Sequence, residues 1–312
     1  MRRNRILNGC GVRLRGRMRR FFFGERMSAS EHVRPLTIDD IAFVKRLLSA
    51  SEYIYQRFTF DELPMLLKHY PAVGMFRGNS LQSFLLAQTV NAPSAWIGGF
   101  GVNWSESRSY IPMLDTLLEH LIPLLVKRGV RHLYYSGNDL QNDWLREVLL
   151  MRDFKPHRLL YAYDKFDFLI PSTGNQNVKI RPVERRDMPA LLAIEEACFE
   201  DFWRYDAVSF EDIAATHPYF VVAEQAGKVV GYQFNALDSE FGYLVRIAVH
   251  PSASGQGIGV RLMSEAIEFF KQAKVLRIML NTQDDNAHAH RLYEWFGFVR
   301  IEQIGFVLRK QI

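Results

Sequence analysis

No run of about 18 uninterrupted apolar residues occurs anywhere in the chain, so a membrane-spanning helix is not expected. Cysteine is nearly absent. Cys10 and Cys198 stand far apart in the sequence and offer neither a disulfide framework nor metal-ligand spacing, so a reducing, cytoplasmic setting and no bound metal are expected. A net positive balance is also lacking once the first 26 residues are set aside. Those residues hold nine arginines and one acid, Glu25, so that of the formal +5 a charge of −3 is left for residues 27–312. A mildly acidic body removes the electrostatic footprint that a nucleic-acid partner needs. Residues 1–26 are expected to be a basic, disordered tail, with a presequence, an RNA-binding arm or a translation-start artefact as open readings. The run Phe21-Phe22-Phe23 is too short for a signal-peptide core, and Met27 opens a second plausible start.

What the chain has is length, apolar content and repetition. Its 312 residues, 48% of them hydrophobic, suffice for two domains with their own cores. Val33-Arg34-Pro35 and the acid pair that follows are matched by Ile180-Arg181-Pro182 and Asp187, at an offset of 147 residues. The same offset lays residues 97–102 on residues 244–249, and offsets of 145 and 144 lay Leu133 on Ile278 and Phe154 on Phe298. Two copies of one fold are expected, at 27–170 and 178–312, joined by a linker rich in Pro, Gly, Ser and Asn around residue 175.

Hydrophobic periodicity in the second copy predicts a strand at 178–182, a helix at 188–198 and a short helix at 209–216. Strands follow at 219–224 and 229–237, joined by a turn at Ala226-Gly227, and then a strand at 243–249. After a glycine-rich turn come a helix at 260–272, a strand at 276–282, a helix at 287–296 and a final pair of strands near 298–308. This is an α/β chain with a mixed sheet. Gly255, Gly257 and Gly259 remove side chains where a strand passes into a helix, so that backbone N–H groups can approach an anion, most often a phosphate. The spacing Gly-x-Gly-x-Gly, late in the chain, is not the dinucleotide fingerprint, and Val260-Arg261 after Gly259 is not the Lys-Ser/Thr of a nucleotide P-loop.

Val249-His250-Pro251, the loop Ser254-Gly255-Gln256-Gly257-Ile258-Gly259, and Asn286 followed by Leu292-Tyr293-Glu294 and Gly297-Phe298 together resemble the GCN5-related N-acetyltransferase (GNAT) superfamily. The resemblance covers residues 178–308 and, far more weakly, 33–168. It implies acetyl-CoA as co-substrate, with its pyrophosphate on Ser254, Gly255, Gln256, Gly257, Ile258, Gly259 and Val260. It further implies that the pantetheine arm lies along strand 243–249 near Asn286, and that the backbone at Ala248 and Val249 orients the acetyl carbonyl. Tyr293 falls at the family's general-acid position, although a tyrosine in this pattern also suits a helix packing contact, and Asn286 also suits a helix N-cap. An amine acceptor would attack directly, without a covalent enzyme intermediate.

Two departures stand out. Ser254 replaces the usual Arg or Gln at the start of the loop, and Tyr243 stands where a glutamate base is common, leaving Glu240, Asp238, His250, His288 and His290 as candidates by proximity. The first copy has no glycine between Asn103 and Tyr110, and Leu149 replaces the tyrosine, so it is expected to keep the scaffold without the chemistry. Tandem superfamily members, mycothiol synthase among them, combine an inactive copy with an active one. Residues 194–199 and 218–224 look like the subgroup of the ribosomal-protein alanine acetyltransferase, so the expected acceptor is a small-molecule amine or a protein N-terminus. Phe199, Phe202, Trp203 and Tyr205 would line its pocket or pack between helices. The rival reading is a non-catalytic acetyl-CoA sensor or scaffold. The oligomeric state is left open.

Overall fold

The structure is a computed structural model that describes residues 31–51, 53–103 and 110–312. The expectations for residues 1–26 therefore lie outside the described residues. The first half runs β1 (Glu31–Pro35), α1 (Ile41–Ala50), β2 (Ile54–Gln56), α2 (Leu63–His69), β3 (Ala72–Arg77), β4 (Ser80–Asn91), β5 (Ser94–Val102), α3 (Tyr110–Val126), β6 (His132–Gly137), α4 (Arg146–Leu150) and β7 (Lys155–Lys165). The second half runs β8 (Lys179–Pro182), α5 (Met188–Cys198), α6 (Ala207–Thr216), β9 (Tyr219–Gln225), β10 (Lys228–Leu237), β11 (Phe241–Val249), α7 (Ile258–Gln272), β12 (Arg277–Gln283), α8 (Ala287–Trp295) and β13 (Val299–Gln311).

The repeat is visible in the element order and in matched side chains. β5 and β11 begin and end 147 positions apart, and in each half a strand arginine forms a 2.7 Å ion pair with the acid six residues on, Arg34 with Asp40 and Arg181 with Asp187. Each of those acids also accepts a backbone N–H three residues earlier, from Thr37 and from Glu184, so the motif fixes how the strand hands over to the first helix. The Arg181 hydrogen bond holds Asp187 below the usual carboxylate range, as the Arg34 hydrogen bond holds Asp40.

The described strands form one 13-stranded sheet in the order β1-β3-β4-β5-β6-β13-β7-β12-β11-β10-β9-β8, with β2 beside β5. The halves exchange their last strands. β13 pairs antiparallel with β6 of the first half, β7 pairs antiparallel with β12 of the second, and β7 and β13 pair with each other in the middle. The edge strand of each half, β6 and β12, thus has its backbone groups paired by the other half's chain. This corrects the expected final pair of strands: β13 is a single strand, and the register jump between Arg300 and Ile304 breaks its pattern so that it reads as two.

α7 shows why the sequence places a helix against the second sheet. Ile258, Leu262, Met263, Ala266, Ile267 and Phe270 recur at helical spacing and are all buried. The helix begins two residues earlier than its apolar pattern predicts, because Gly257, at φ 73°, turns the chain into it. No helix among the described residues is long and apolar enough to cross a membrane.

Candidate functional site

β11 and β12 run parallel for three residue pairs, Phe241–Arg277 to Tyr243–Met279, and then part. Residues 244–249 keep β10 on one edge and face a wedge on the other. A register shift in β10 between Phe234 and Asn235 accompanies the divergence. The His250 N–H goes to the Val230 carbonyl at 2.8 Å, so by alternation the N–H of Val249 points away from β10 and into the wedge. An extended ligand can pair with such an edge as an added strand. The Val249 carbonyl accepts the Cys198 thiol at 3.3 Å, and burial pushes that thiol up to about 11, which leaves it protonated and a poor nucleophile.

At the open end of the wedge lies the glycine loop. Pro251–Ala253 form a single 3-10 turn, Ser254 is extended, and Gly255 and Gly257 take φ of 75° and 73°. The backbone N–H groups of Gly255, Gln256, Gly257, Ile258, Gly259 and Val260 have no hydrogen-bond acceptor among the described residues. The carbonyls are treated differently. Asn175 of the connecting segment donates its side-chain amide to the Gln256 carbonyl at 2.9 Å and its backbone N–H to the Gly257 carbonyl at 3.2 Å. Carbonyl lone pairs are taken up on one side while N–H groups at a helix N-terminus stay free, which is the polarity of an anion site. Ile258 and Ala248 are buried and hold the loop on the core, whereas Ser254 and Gln256 are exposed.

Tyr293, on α8, is buried among Tyr163, Phe296 and Phe298 while lining the wedge. Burial, reinforced by the Tyr243 and Tyr163 phenols, raises its pKa above the ordinary tyrosine value, so the hydroxyl stays protonated and able to donate. No described residue hydrogen-bonds that hydroxyl. Asn286 accepts the Ala289 N–H at 3.1 Å as the helix N-cap and also lines the wedge. Tyr243 lines it too, with its hydroxyl bonded by the Asn281 amide, and burial pushes its pKa up to about 12.

The five base candidates do not converge. Glu240 and Asp238 occupy the distant β10–β11 turn, and His250 and His288 bond to Ser252 and Arg291. His290 bonds to Tyr163 at 2.7 Å, and none of the five lines the cavity. Arg246 and Glu195 of the candidate site escaped sequence reasoning. Arg246 points into the cavity, stacked between Phe199 and Tyr205 at 4.1 and 4.4 Å, and it pairs with Glu195 of α5 at 3.4 Å. Glu195, almost wholly buried, also takes the Tyr232 hydroxyl and the Tyr205 N–H. The Arg246 side chain in a strand otherwise apolar is the signal that could have found it. Phe199, Phe202, Trp203 and Tyr205 all line the cavity, and Phe202 additionally packs against Tyr134 of the first half at 4.6 Å.

The first half has the corresponding wedge and fills it. β5 pairs with β6 for three residues, Ser94–Trp96, and the freed edge at Gly99–Gly101 is then taken by β2. The Val102 N–H and the Gly98 carbonyl extend that ladder to Tyr53 and Arg57. Tyr55 reaches across to β6, donating to the Ser136 carbonyl at 2.9 Å and packing on Tyr135. Leu149, at the place of Tyr293, is fully buried in the core. The segment 104–109, where a phosphate loop would stand, is outside the described residues.

Residues 188–298 match the family described as Acetyltransferase (GNAT) family. The chain is similar to the N-alpha-acetyltransferase RimI of Mycobacterium tuberculosis, 33% identical over 136 residues that cover 42% of this chain and 84% of that protein. It is 30% identical over 137 residues to the mycothiol acetyltransferase of Thermomonospora curvata, covering 41% of this chain and 46% of the relative, so the match spans about half of that protein. Among solved structures, a tandem GNAT protein from the clavulanic acid biosynthesis pathway superposes with a TM-score of 0.63 at 12% identity, over 90% of this chain and 98% of the other.

Proposed function

The chain belongs to the GNAT family of acetyltransferases, and on that premise we propose that it moves an acetyl group from acetyl-CoA to a primary amine within the wedge between β11 and β12. The observation that carries this reading is the run of six backbone N–H groups from Gly255 to Val260 that have no acceptor among the described residues, at the mouth of a strand edge that no described strand pairs. A pyrophosphate fits that cradle, and a Cβ at Gly255 or Gly257 would strain the backbone that forms it. Acetyl-CoA supplies the activated thioester carbonyl. The Val249 N–H, which by alternation points into the wedge, would hold the carbonyl oxygen as charge develops on it. As the amine nitrogen bonds to the carbonyl carbon and the carbon–sulfur bond breaks, the Tyr293 hydroxyl donates a hydrogen bond to the departing thiolate, the amine gives its proton to water, and the thiolate is released with its charge held by the phenol until it takes up a proton from water. No covalent enzyme intermediate is required, so positioning carries much of the rate.

The acceptor amine is that of a small molecule or a protein N-terminus; the similarity to an N-alpha-acetyltransferase supports an α-amine in either case. Residues 27–170 then form the non-catalytic partner and 178–312 the catalytic unit, interlocked by the exchanged strands, and the enzyme works in the cytoplasm. Thiol release from acetyl-CoA across a panel of primary amines tests the proposal. Amine-dependent release is expected, and coenzyme A binding without turnover of any amine contradicts it.

A further inference from the structure

The segment that closes the first wedge continues one residue past β2 into Arg57, whose backbone N–H is fixed to the Gly98 carbonyl at 3.0 Å. Its guanidinium lies 4.9 Å above the Trp96 ring and lines the second half's cavity together with Tyr243, Arg246 and Tyr293. That cavity is lined by two cations and by no carboxylate. Arg246 is neutralised from behind by Glu195, whereas Arg57 has no acidic group within 4 Å among the described residues. Glu62 and Asp212 line the adjoining cavity, whose wall Arg57 shares, and neither forms an ion pair with Arg57.

We propose that Arg57 is the acceptor-reading residue, so that the acceptor is a primary amine that also carries a carboxylate. The inference rests on the acetyltransferase reading of the wedge. A planar guanidinium held against an aromatic face presents its N–H edge as a fork that matches a carboxylate with two parallel hydrogen bonds. The lining of this cavity offers no carboxylate base, so the proton of the bound amine leaves through water. The non-catalytic half thus supplies the charge that selects the substrate of the catalytic one. Gln88 and Thr89 of the β4–β5 hairpin, which line the same cavity beside Arg57, offer further polar contacts to the acceptor's anionic end.

Binding of product-like probes tests this without requiring turnover. The full-length protein is titrated calorimetrically, in the presence of coenzyme A, with a panel of N-acetylamino acids, their carboxamides and monoacetylated diamines. The acids are expected to bind roughly tenfold or more tightly than the matched amides, in line with the strength of a charged hydrogen bond. Arg57→Gln is expected to erase that difference and Arg57→Lys to restore part of it, with coenzyme A affinity and melting temperature unchanged. Equal binding of acid and amide by the unmodified protein, including no binding of either, overturns the proposal. Tighter binding of monoacetylated diamines also overturns it and moves recognition to Glu62 and Asp212. Loss of coenzyme A binding itself would instead strike at the acetyltransferase reading.

Discussion

The two wedges of the sheet start from the same geometry and end with opposite contents. In each, a pair of parallel strands separates after three residues, β5 from β6 and β11 from β12. The first is filled by its own chain, with β2 paired to β5 and Tyr55 spanning to β6. The second is left open, with a free strand edge, a cradle of N–H groups and a tyrosine hydroxyl at its wall. A parted strand pair is therefore only a vacancy in the ladder. Whether it serves chemistry depends on whether the sequence supplies a plug or a ligand site, and the plug here also carries Arg57 to the open wedge.

The comparison breaks most directly at the paired positions Leu149 and Tyr293. Tyr293→Phe is expected to lower kcat by about 10²-fold or more, in the range for a positioned proton donor, with little change in coenzyme A affinity. Steady-state kinetics and calorimetry read the two effects separately. Because burial keeps this phenol protonated, the unmodified enzyme should also show no alkaline fall in kcat below about pH 10, the ordinary tyrosine pKa. Leu149→Ala, by contrast, should cost about 2–5 kcal/mol of stability through a core cavity and show no specific loss of the chemical step.

Opening the plugged wedge should change stability rather than binding. Tyr55→Ala is expected to destabilise the fold by about 3 kcal/mol, by lost packing on Tyr135 and a lost bond to Ser136, with coenzyme A affinity intact in the second wedge. Denaturant unfolding and calorimetry together decide it. Gly257→Val should do the reverse. A β-branched residue at φ 73° strains the loop by about 1–3 kcal/mol, and a coenzyme A affinity reduced roughly tenfold or more, with the sheet still folded by circular dichroism, is the expected result.

The smallest effect concerns the contact that joins the halves. His157 packs edge-on against Phe202 at 4.9 Å, and burial, helped by Arg158 and Arg309, pushes its pKa down to about 4. The folded protein then binds fewer protons than the unfolded chain between about pH 4 and pH 6.5, so stability should fall as pH drops through that window. The partial exposure of this ring keeps the effect modest. His157→Gln should flatten the dependence in thermal melts taken between pH 7 and pH 5, and an unchanged slope would show that another group controls it.

Much of this was legible before any coordinates. The recurring Arg-Pro and Asp at an offset of 147 gave the internal repeat, because the ion pair they form is needed in both halves to turn strand into helix. The glycine loop was legible because Gly255 and Gly257 must adopt positive φ. The strand exchange was not, since β7 and β13 have equivalent patterns and pairing across so long a separation leaves no local signature. The plug was half-legible. Gly98, Gly99 and Gly101 in β5 signal something approaching closely, and a Cβ at Gly99 would collide with the Phe58 ring, but a three-residue strand is too short to be found by alternation. Arg57, exposed and beyond the end of that strand, carried no pattern at all.

The most direct test of the account is the stoichiometry of coenzyme A binding to the full-length chain by isothermal titration calorimetry. One molecule per chain, with that single isotherm weakened by Gly257→Val and untouched by Tyr55→Ala, is the predicted result. Two molecules per chain, or one whose affinity responds to Tyr55 and not to Gly257, would show that the first wedge is open to the cofactor and would contradict the assignment of a single working cleft.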